Sequence, residues 1–153
     1  MTPEQRLQEL GIELPTPPAA VAAYVPWVRT GNLIVTSGQL PFRDGKIVYA
    51  GKLGAELSDD DGYQAARLCA INAIAHLKVA AGELSNIAQI VRLEGNVHSA
   101  AGFQGQPQVL NGASELFDEV FGAAGKHTRT ALGIFEMPLG AAVQLSVYAE
   151  LAS

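Results

Sequence analysis

Residues 143–151, VQLSVYAEL, alternate apolar and polar side chains without a break. Only an extended strand sends successive residues to opposite faces, so this segment reads as a strand with one buried face and one wetter face. Val143, Leu145, Val147, Ala149 and Leu151 form the apolar row, and Gln144, Ser146, Tyr148 and Glu150 the other. The preceding TALGIFEM alternates as well, and Pro138-Leu139-Gly140 between the two has turn chemistry. The two are therefore expected as an antiparallel strand pair. A sheet with one apolar face needs something apolar to lie on it.

The chain supplies two helices for that purpose. Ser58 followed by Asp59, Asp60 and Asp61 is a helix start, a capping hydroxyl and then carboxylates at the positive end of the dipole. Tyr63, Ala66, Ala70, Ile74 and Leu77 follow at helical spacing until Gly82. A second helix is expected from Pro107 to Phe121, with Val109, Leu110, Leu116, Phe117, Val120 and Phe121 as its apolar residues. Between them, NIAQIVRLEGNVHS reads as a strand. Its expected faces are Ile87, Val91, Leu93 and Val97 against Arg92, Glu94, Asn96 and His98. Further upstream, VAAYVPWVRT and NLIVTSG flank Thr30-Gly31-Asn32 as a hairpin, and LPFRDGKIVYAGKLG reads as a loop with a short strand near 46–49. A short helix over 3–10, capped by Thr2, precedes the breaker PTPPAA. The order describes a single α+β domain over 1–153, with an N-terminal extension 1–18 and the helices on one face of the sheet.

Charged residues make up only 16% of the chain, against the roughly one quarter usual in soluble domains. So little charge on so small a protein is expected to go with self-association. The net charge of −5 gives no global field for nucleic acid or an anionic membrane, and neither is an expected partner. Cys69 is the single cysteine, so no intrachain disulfide forms, and its setting RLCAINAI reads as a buried helical thiol. No apolar run approaches the roughly 18 residues of a membrane span, and nothing at the N-terminus reads as a signal peptide. The expected compartment is the cytoplasm.

Arg129 opens a segment nearly free of charge. It shares a strand face with Ala131, Gly133 and Phe135, while Leu132 and Ile134 are expected to face the helices. Arg129 then points to the opposite side, together with Ser146. A guanidinium beside small residues is a carboxylate receptor, because its planar donors engage both oxygens. A solvated arginine at a strand start is the plainer alternative. TSGQLP at 36–41 ends a strand at Ser37-Gly38, where glycine permits close approach of a ligand, or where an ordinary turn begins. His76, His98 and His127 lack ligand spacing, so no metal site is expected, and surface placement is expected for His98 and His127. GAAGKHT lacks the Ser/Thr and the following helix of a phosphate-binding loop.

AAVAAYVPWV, GNLIVTSGQLP, the 63–84 helix ending in AGELSNI, IVRLEGNV and RTALGIFEMPLGAAVQLSVYA resemble, in this order, the Rid family of YjgF-like enamine/imine deaminases. The resemblance spans about residues 19–149. It implies a chorismate-mutase-like mixed sheet with two helices on one face. It also implies a homotrimer with a central β-barrel and ligand clefts between subunits. By this resemblance Arg129 holds a substrate carboxylate, Tyr24 covers it, and Ser37, Gly38 and Ala131 line the cleft, with no cofactor. The last-strand glutamate that positions water in active deaminases falls on Ser146. The long N-terminus and SAAGFQGQPQVLNGA at 99–113 mark a divergent subgroup. The implied reaction is hydrolysis of 2-imino or enamino acids to 2-keto acids and ammonia. A serine is no base at neutral pH, so Glu94 is the candidate to compensate, while Glu136 lies on the Leu132/Ile134 parity. A carboxylate-binding trimer without deaminase activity is the alternative. The endoribonuclease label common in the family runs against the acidic charge balance.

Overall fold

The computed structural model describes residues 1–17 and 22–153; residues 18–21, which include the start of the AAVAAYVPWV motif and the end of the extension, lie outside them. The elements are α1 (Pro3–Glu9), β1 (Trp27–Thr30), β2 (Leu33–Thr36), β3 (Phe42–Arg43), β4 (Lys46–Ile47), α2 (Asp59–Ala81), β5 (Ile87–His98), α3 (Gln106–Phe121), β6 (Thr128–Ile134) and β7 (Val143–Leu151). The main sheet runs β1-β2-β7-β5-β6, and β3 and β4 form a small separate hairpin. All neighbours in the main sheet are antiparallel except β5 and β6. The α+β class and the helices on one face are as expected.

One adjacency is not. β6 and β7 do run in opposite directions, but β5 lies between them and pairs with both. The connection is a crossover rather than a hairpin. Its 3-10 turn at Pro138–Gly140, with Leu139 at φ 59°, reverses the chain beyond the end of β5. Turn residues set the reversal of direction; the long apolar row of β5 claims the place between β7 and β6.

Helix α2 begins where its sequence predicts. Ser58 Oγ accepts from the Asp61 amide, and the Asp61 carboxylate accepts from the Ser58 amide, a reciprocal cap. The β7 row Val143, Leu145, Val147, Ala149 and Leu151 is buried beneath α2 and α3 with Ile74, Leu77, Leu110 and Phe117. Cys69 is fully buried there, its thiol donating to the Val143 carbonyl at 3.5 Å, and burial pushes that thiol well up. In β5 the expected faces hold only from Leu93 onward. A register shift between Ile90 and Arg92 turns Ile90 inward and leaves Val91 36% exposed. A bulge of this kind breaks strict alternation.

Two contacts hold the helices to each other. A Cβ at Gly112 of α3 would lie 2.0 Å from the Tyr63 carbonyl oxygen of α2, so only glycine allows this approach. Beside it the Tyr63 hydroxyl donates to Glu115, and that hydrogen bond, with burial, raises the phenol to about 12. The N-terminal extension belongs to the same body. Leu7 is 4% exposed in the main core, and the Glu4 carboxylate accepts from the Leu84 amide at 2.6 Å. A side chain of that size contributes about 2 kcal/mol on burial. A seven-residue helix would not persist without such docking.

Candidate functional site

Arg129 sits opposite Leu93 on the β5–β6 ladder, and Leu93 is fully buried. Residues paired across a ladder point to the same side, so Arg129 faces the helices. This overturns the expected parity: Leu132, assigned to the core, is 59% exposed, and Ala131 packs against the core instead. The alternation was right about which residues share a face. It was silent about which face α3 covers.

The guanidinium is held from α3. Its Nη1 donates to Asn111 Oδ1 at 2.9 Å and to Ser114 Oγ at 3.1 Å. Ser114 Oγ lies 2.9 Å from His127 Nε2, and His127 Nδ1 lies 2.6 Å from the Gly125 carbonyl oxygen. A carbonyl only accepts, so Nδ1 carries the ring proton and neutral Nε2 receives the Ser114 hydroxyl proton. The hydroxyl is then left to accept from Arg129. The relay fixes the guanidinium plane through one nitrogen, while Nε and Nη2, the edge suited to a bidentate carboxylate, have no protein partner among the described residues. Along the same face the place beside Gly133 is taken by side chains: a Cβ there would lie 2.7 Å from Gln106 Nε2 and 3.0 Å from Ser99 Oγ. His127 is half-buried in this relay and His98 is 5% exposed, so neither is the surface group expected.

Asn111 and Ser114 were not singled out in the sequence. The available signal was two polar residues at i, i+3 within the apolar stripe of Leu110, Ala113, Leu116 and Phe117.

The remaining predicted residues lie elsewhere. Tyr24, 48% exposed, and Ser37-Gly38 belong to the β1–β2 end of the sheet. Ser37 is pinned by two bonds, its amide to the Pro26 carbonyl at 2.8 Å and its hydroxyl to the Val25 carbonyl at 2.6 Å. From β2 to β6 are three strand spacings, about 14 Å. One chain therefore does not bring Tyr24, Ser37 and Gly38 to Arg129. The β7 side chain beside Gly38 is Gln144: a Cβ on Gly38 would lie 2.6 Å from its amide. Gln144 Oε1 accepts from Asn96 Nδ2 at 3.5 Å.

Ser146 and Glu94 face each other across the β5–β7 ladder, on the side away from the helices and thus away from Arg129. The expectation that Arg129 and Ser146 share a face is therefore corrected. Glu94 Oε1 accepts from Arg92 Nε at 3.1 Å. Burial first, then the Glu94 charge and a hydrogen bond to it, push the neighbouring Tyr148 phenol up. Glu136 is near the far end of β6, 3.6 Å from Lys52 Nζ. Among the described residues no three His, Cys, Asp or Glu side chains gather where they could hold a metal, and no helix is long and apolar enough to cross a membrane.

A mixed sheet with helices on one face and a braced arginine on an edge strand defines a chorismate-mutase-like α+β class. Residues 4–151 match the family described as "YjgF/chorismate mutase-like, putative endoribonuclease", and the chain belongs to it. A crystal structure from Shewanella oneidensis, given the same endoribonuclease description, superposes with a TM-score of 0.96 at 45% identity, covering 99% of this chain and 100% of that one. Protein TCP17 of Trypanosoma cruzi is 40% identical over 146 residues, 95% of this chain and 91% of that protein. Escherichia coli TdcF, solved with bound serine, shares the fold with a TM-score of 0.64 at 21% identity, covering 90% and 94%. The fall from 45% to 21% sets this chain in a branch distant from TdcF.

Proposed function

We propose that the protein forms a homotrimer in the cytoplasm, with clefts between subunits that bind a small carboxylate and hydrolyse 2-imino or enamino acids to 2-keto acids and ammonia. The observation that carries this reading is Arg129, braced by Asn111 and Ser114 through one nitrogen with its other edge unspent. The serine bound to TdcF carries such a carboxylate. Because Arg129 and Ala131 lie at one sheet edge and Tyr24, Ser37 and Gly38 towards the other, a neighbouring copy completes the cleft in this reading. The 16% charge content is in keeping with surfaces covered in this way.

In the reaction, water adds to the imine carbon, the C–N bond breaks and ammonia leaves. Arg129 fixes the carboxylate, and Gln144 at Gly38 orients water through its amide. An amide takes up no proton at neutral pH, so the imine nitrogen receives one proton as water adds and the second from the resulting hydroxyl, as the carbonyl forms and the C–N bond breaks. Glu94 shares the face of Gln144 but is already engaged by Arg92 at 3.1 Å, so this reading gives it no step.

An amide, Gln144, at Gly38 and a serine, Ser146, where the family resemblance places the glutamate favour a second reading, a trimer that binds the carboxylate without turnover. Generating 2-aminoacrylate in situ and following keto-acid release separates the two. The protein should accelerate release, and Arg129→Ala should lower kcat/KM by roughly 100-fold. Acceleration absent from the native protein, with carboxylate binding intact, would favour the second reading. A gain of turnover in Gln144→Glu would then locate the missing carboxylate. Equal activity and equal carboxylate binding in Arg129→Ala would overturn both. The endoribonuclease wording is disfavoured by the net charge of −5. RNA cleavage by rigorously purified protein, lost in Arg129→Ala, would reinstate it.

A further inference from the structure

The brace on Arg129 contains a second constellation, with no step in imine hydrolysis. Ser114 Oγ lies 2.9 Å from His127 Nε2, within reach for proton transfer. The ring is aimed from behind: Nδ1 donates to the Gly125 carbonyl at 2.6 Å, which leaves the basic nitrogen turned to the serine. Phe117 packs against the ring edge-on, with centroids 6.4 Å apart. Asp118 is ion-paired with Lys126 at 2.9 Å and makes no hydrogen bond to the histidine. Arg129 Nη1 is 3.1 Å from the same Ser114 oxygen, and a cation there favours the alkoxide over the hydroxyl. Nucleophile, oriented base and charge stabiliser therefore meet at one oxygen. Other serines differ. Ser37 and Ser99 donate to the carbonyls of Val25 and Val97, and a carbonyl takes up no proton. Ser58 caps a helix. Ser114 and His127 are half-buried, so the pair is not sealed from solvent. Ser114 lies inside α3 and not on a strand-to-helix turn, so no GxSxG surrounds it and only the geometry reveals the pair.

We propose that Ser114 is a nucleophile activated by His127, and that the pair cleaves small esters carrying a carboxylate for Arg129 to hold. The choice of substrate rests on the carboxylate receptor assigned to Arg129 above; the nucleophile does not. Ser114 Oγ attacks the ester carbonyl as His127 takes its proton. The Oγ–C bond forms, the C–O bond to the alcohol breaks, and His127 gives the proton to the departing alcohol. Water then attacks the acyl-serine and gives a proton to His127, which returns it to Ser114 as the acid leaves. A monoester of a short dicarboxylic acid fits, because the free Nε and Nη2 edge of Arg129 adjoins the Nη1 that meets Oγ. Gly125 supplies a carbonyl where a Ser-His-Asp triad has a carboxylate. The base is correspondingly modest, and activated electrophiles are the suitable probes.

Diisopropyl fluorophosphate carries no carboxylate, so it tests the nucleophile apart from the Arg129 receptor. Incubated with the unaltered full chain, it should place a diisopropylphosphoryl group on Ser114 with loss of fluoride, read by peptide mass spectrometry. His127→Gln keeps a hydrogen-bonding side chain that takes up no proton, and should slow this labelling by about 100-fold with far-UV circular dichroism unchanged. Substrate class is tested with the mono-4-nitrophenyl ester of fumaric acid and 4-nitrophenyl crotonate, which differ by a carboxylate in place of a methyl group. Release of 4-nitrophenol from the fumarate ester should be about tenfold faster in kcat/KM, and Arg129→Ala should remove that preference. The lack of a Ser114 adduct in the native protein overturns the proposal, as does undiminished labelling in His127→Gln. Equal rates on the two esters overturn it as well. Imine hydrolysis, lost in Arg129→Ala but present in the native protein, is measured separately, so the deaminase reading stands or falls on its own result.

Discussion

Arg129 and Glu94 stand on adjacent strands of one sheet and on opposite faces of it. Both are half-exposed charged residues in an apolar protein, yet their surroundings treat them differently. Arg129 is gripped from a second layer, by two side chains of α3 that take one nitrogen and leave the rest of the guanidinium free. Glu94 is answered within the sheet, by Arg92 two residues away and by Tyr148 across the ladder. A surface pair of the second kind contributes little to stability, about 0–1 kcal/mol. An oriented cation with an open planar edge is a receptor; a carboxylate beside its own arginine is already satisfied.

The largest effect that would break this contrast comes from the helix that does the gripping. Gly112 lies between Asn111 and Ser114, with the Tyr63 carbonyl oxygen where its Cβ would be. Alanine in place of glycine ordinarily favours a helix by about 1 kcal/mol. Here the contact is with backbone and cannot yield cheaply, so Gly112→Ala should instead cost about 2–3 kcal/mol in denaturant unfolding. The shift of α3 should also weaken carboxylate binding while leaving the Tyr148 titration untouched. Unchanged stability would mean that α2 and α3 are not packed as closely as described.

A smaller effect tests the grip alone. Ser114→Ala and Asn111→Ala should each weaken pyruvate binding by about fivefold, the worth of roughly one hydrogen bond. Because both act on the same nitrogen, the double variant should fall short of the product of the two. Strictly multiplicative losses would argue against a shared brace.

Much of this contrast was legible in the residues. The Ser58 cap, the β1–β2 hairpin and the buried row of β7 followed from local chemistry, since each depends on neighbours in sequence. The company kept by Arg129, with Ala131 and Gly133, was legible for the same reason. Which side of β6 carries a helix was not. Period-two alternation is symmetric between faces, and only the path of α3 breaks the symmetry. β5 between β6 and β7 escaped too, because a turn signal encodes reversal and not adjacency. The bulge near Ile90 and the contact of Gln144 with Gly38 depend on cross-strand register, which no single strand's pattern contains.

The least disruptive change probes the other face. Glu94→Gln keeps the shape of the side chain and removes its charge. If Glu94 is only the satisfied partner of Arg92, carboxylate affinity and imine hydrolysis should stay within about twofold of native, as expected for sites with no shared partner. Tyr148 should respond instead. Its phenol is raised by burial first and by Glu94 second, so the substitution should lower its titration partway, with burial still holding it above the ordinary tyrosine value. Absorbance titration in a Tyr63→Phe background removes the tyrosine held at about 12, and the difference between the curves with and without Glu94→Gln, in which Tyr24 and Tyr49 are common, reports that change. A phenol raised by folding contributes stability that is complete below its unfolded value of about 10 and is lost as the pH rises through the folded one. Glu94→Gln should therefore narrow the alkaline window over which Tyr148 stabilises the fold and leave neutral pH unaffected. A collapse of turnover at neutral pH would instead place Glu94 in the reaction, on the face it shares with Gln144.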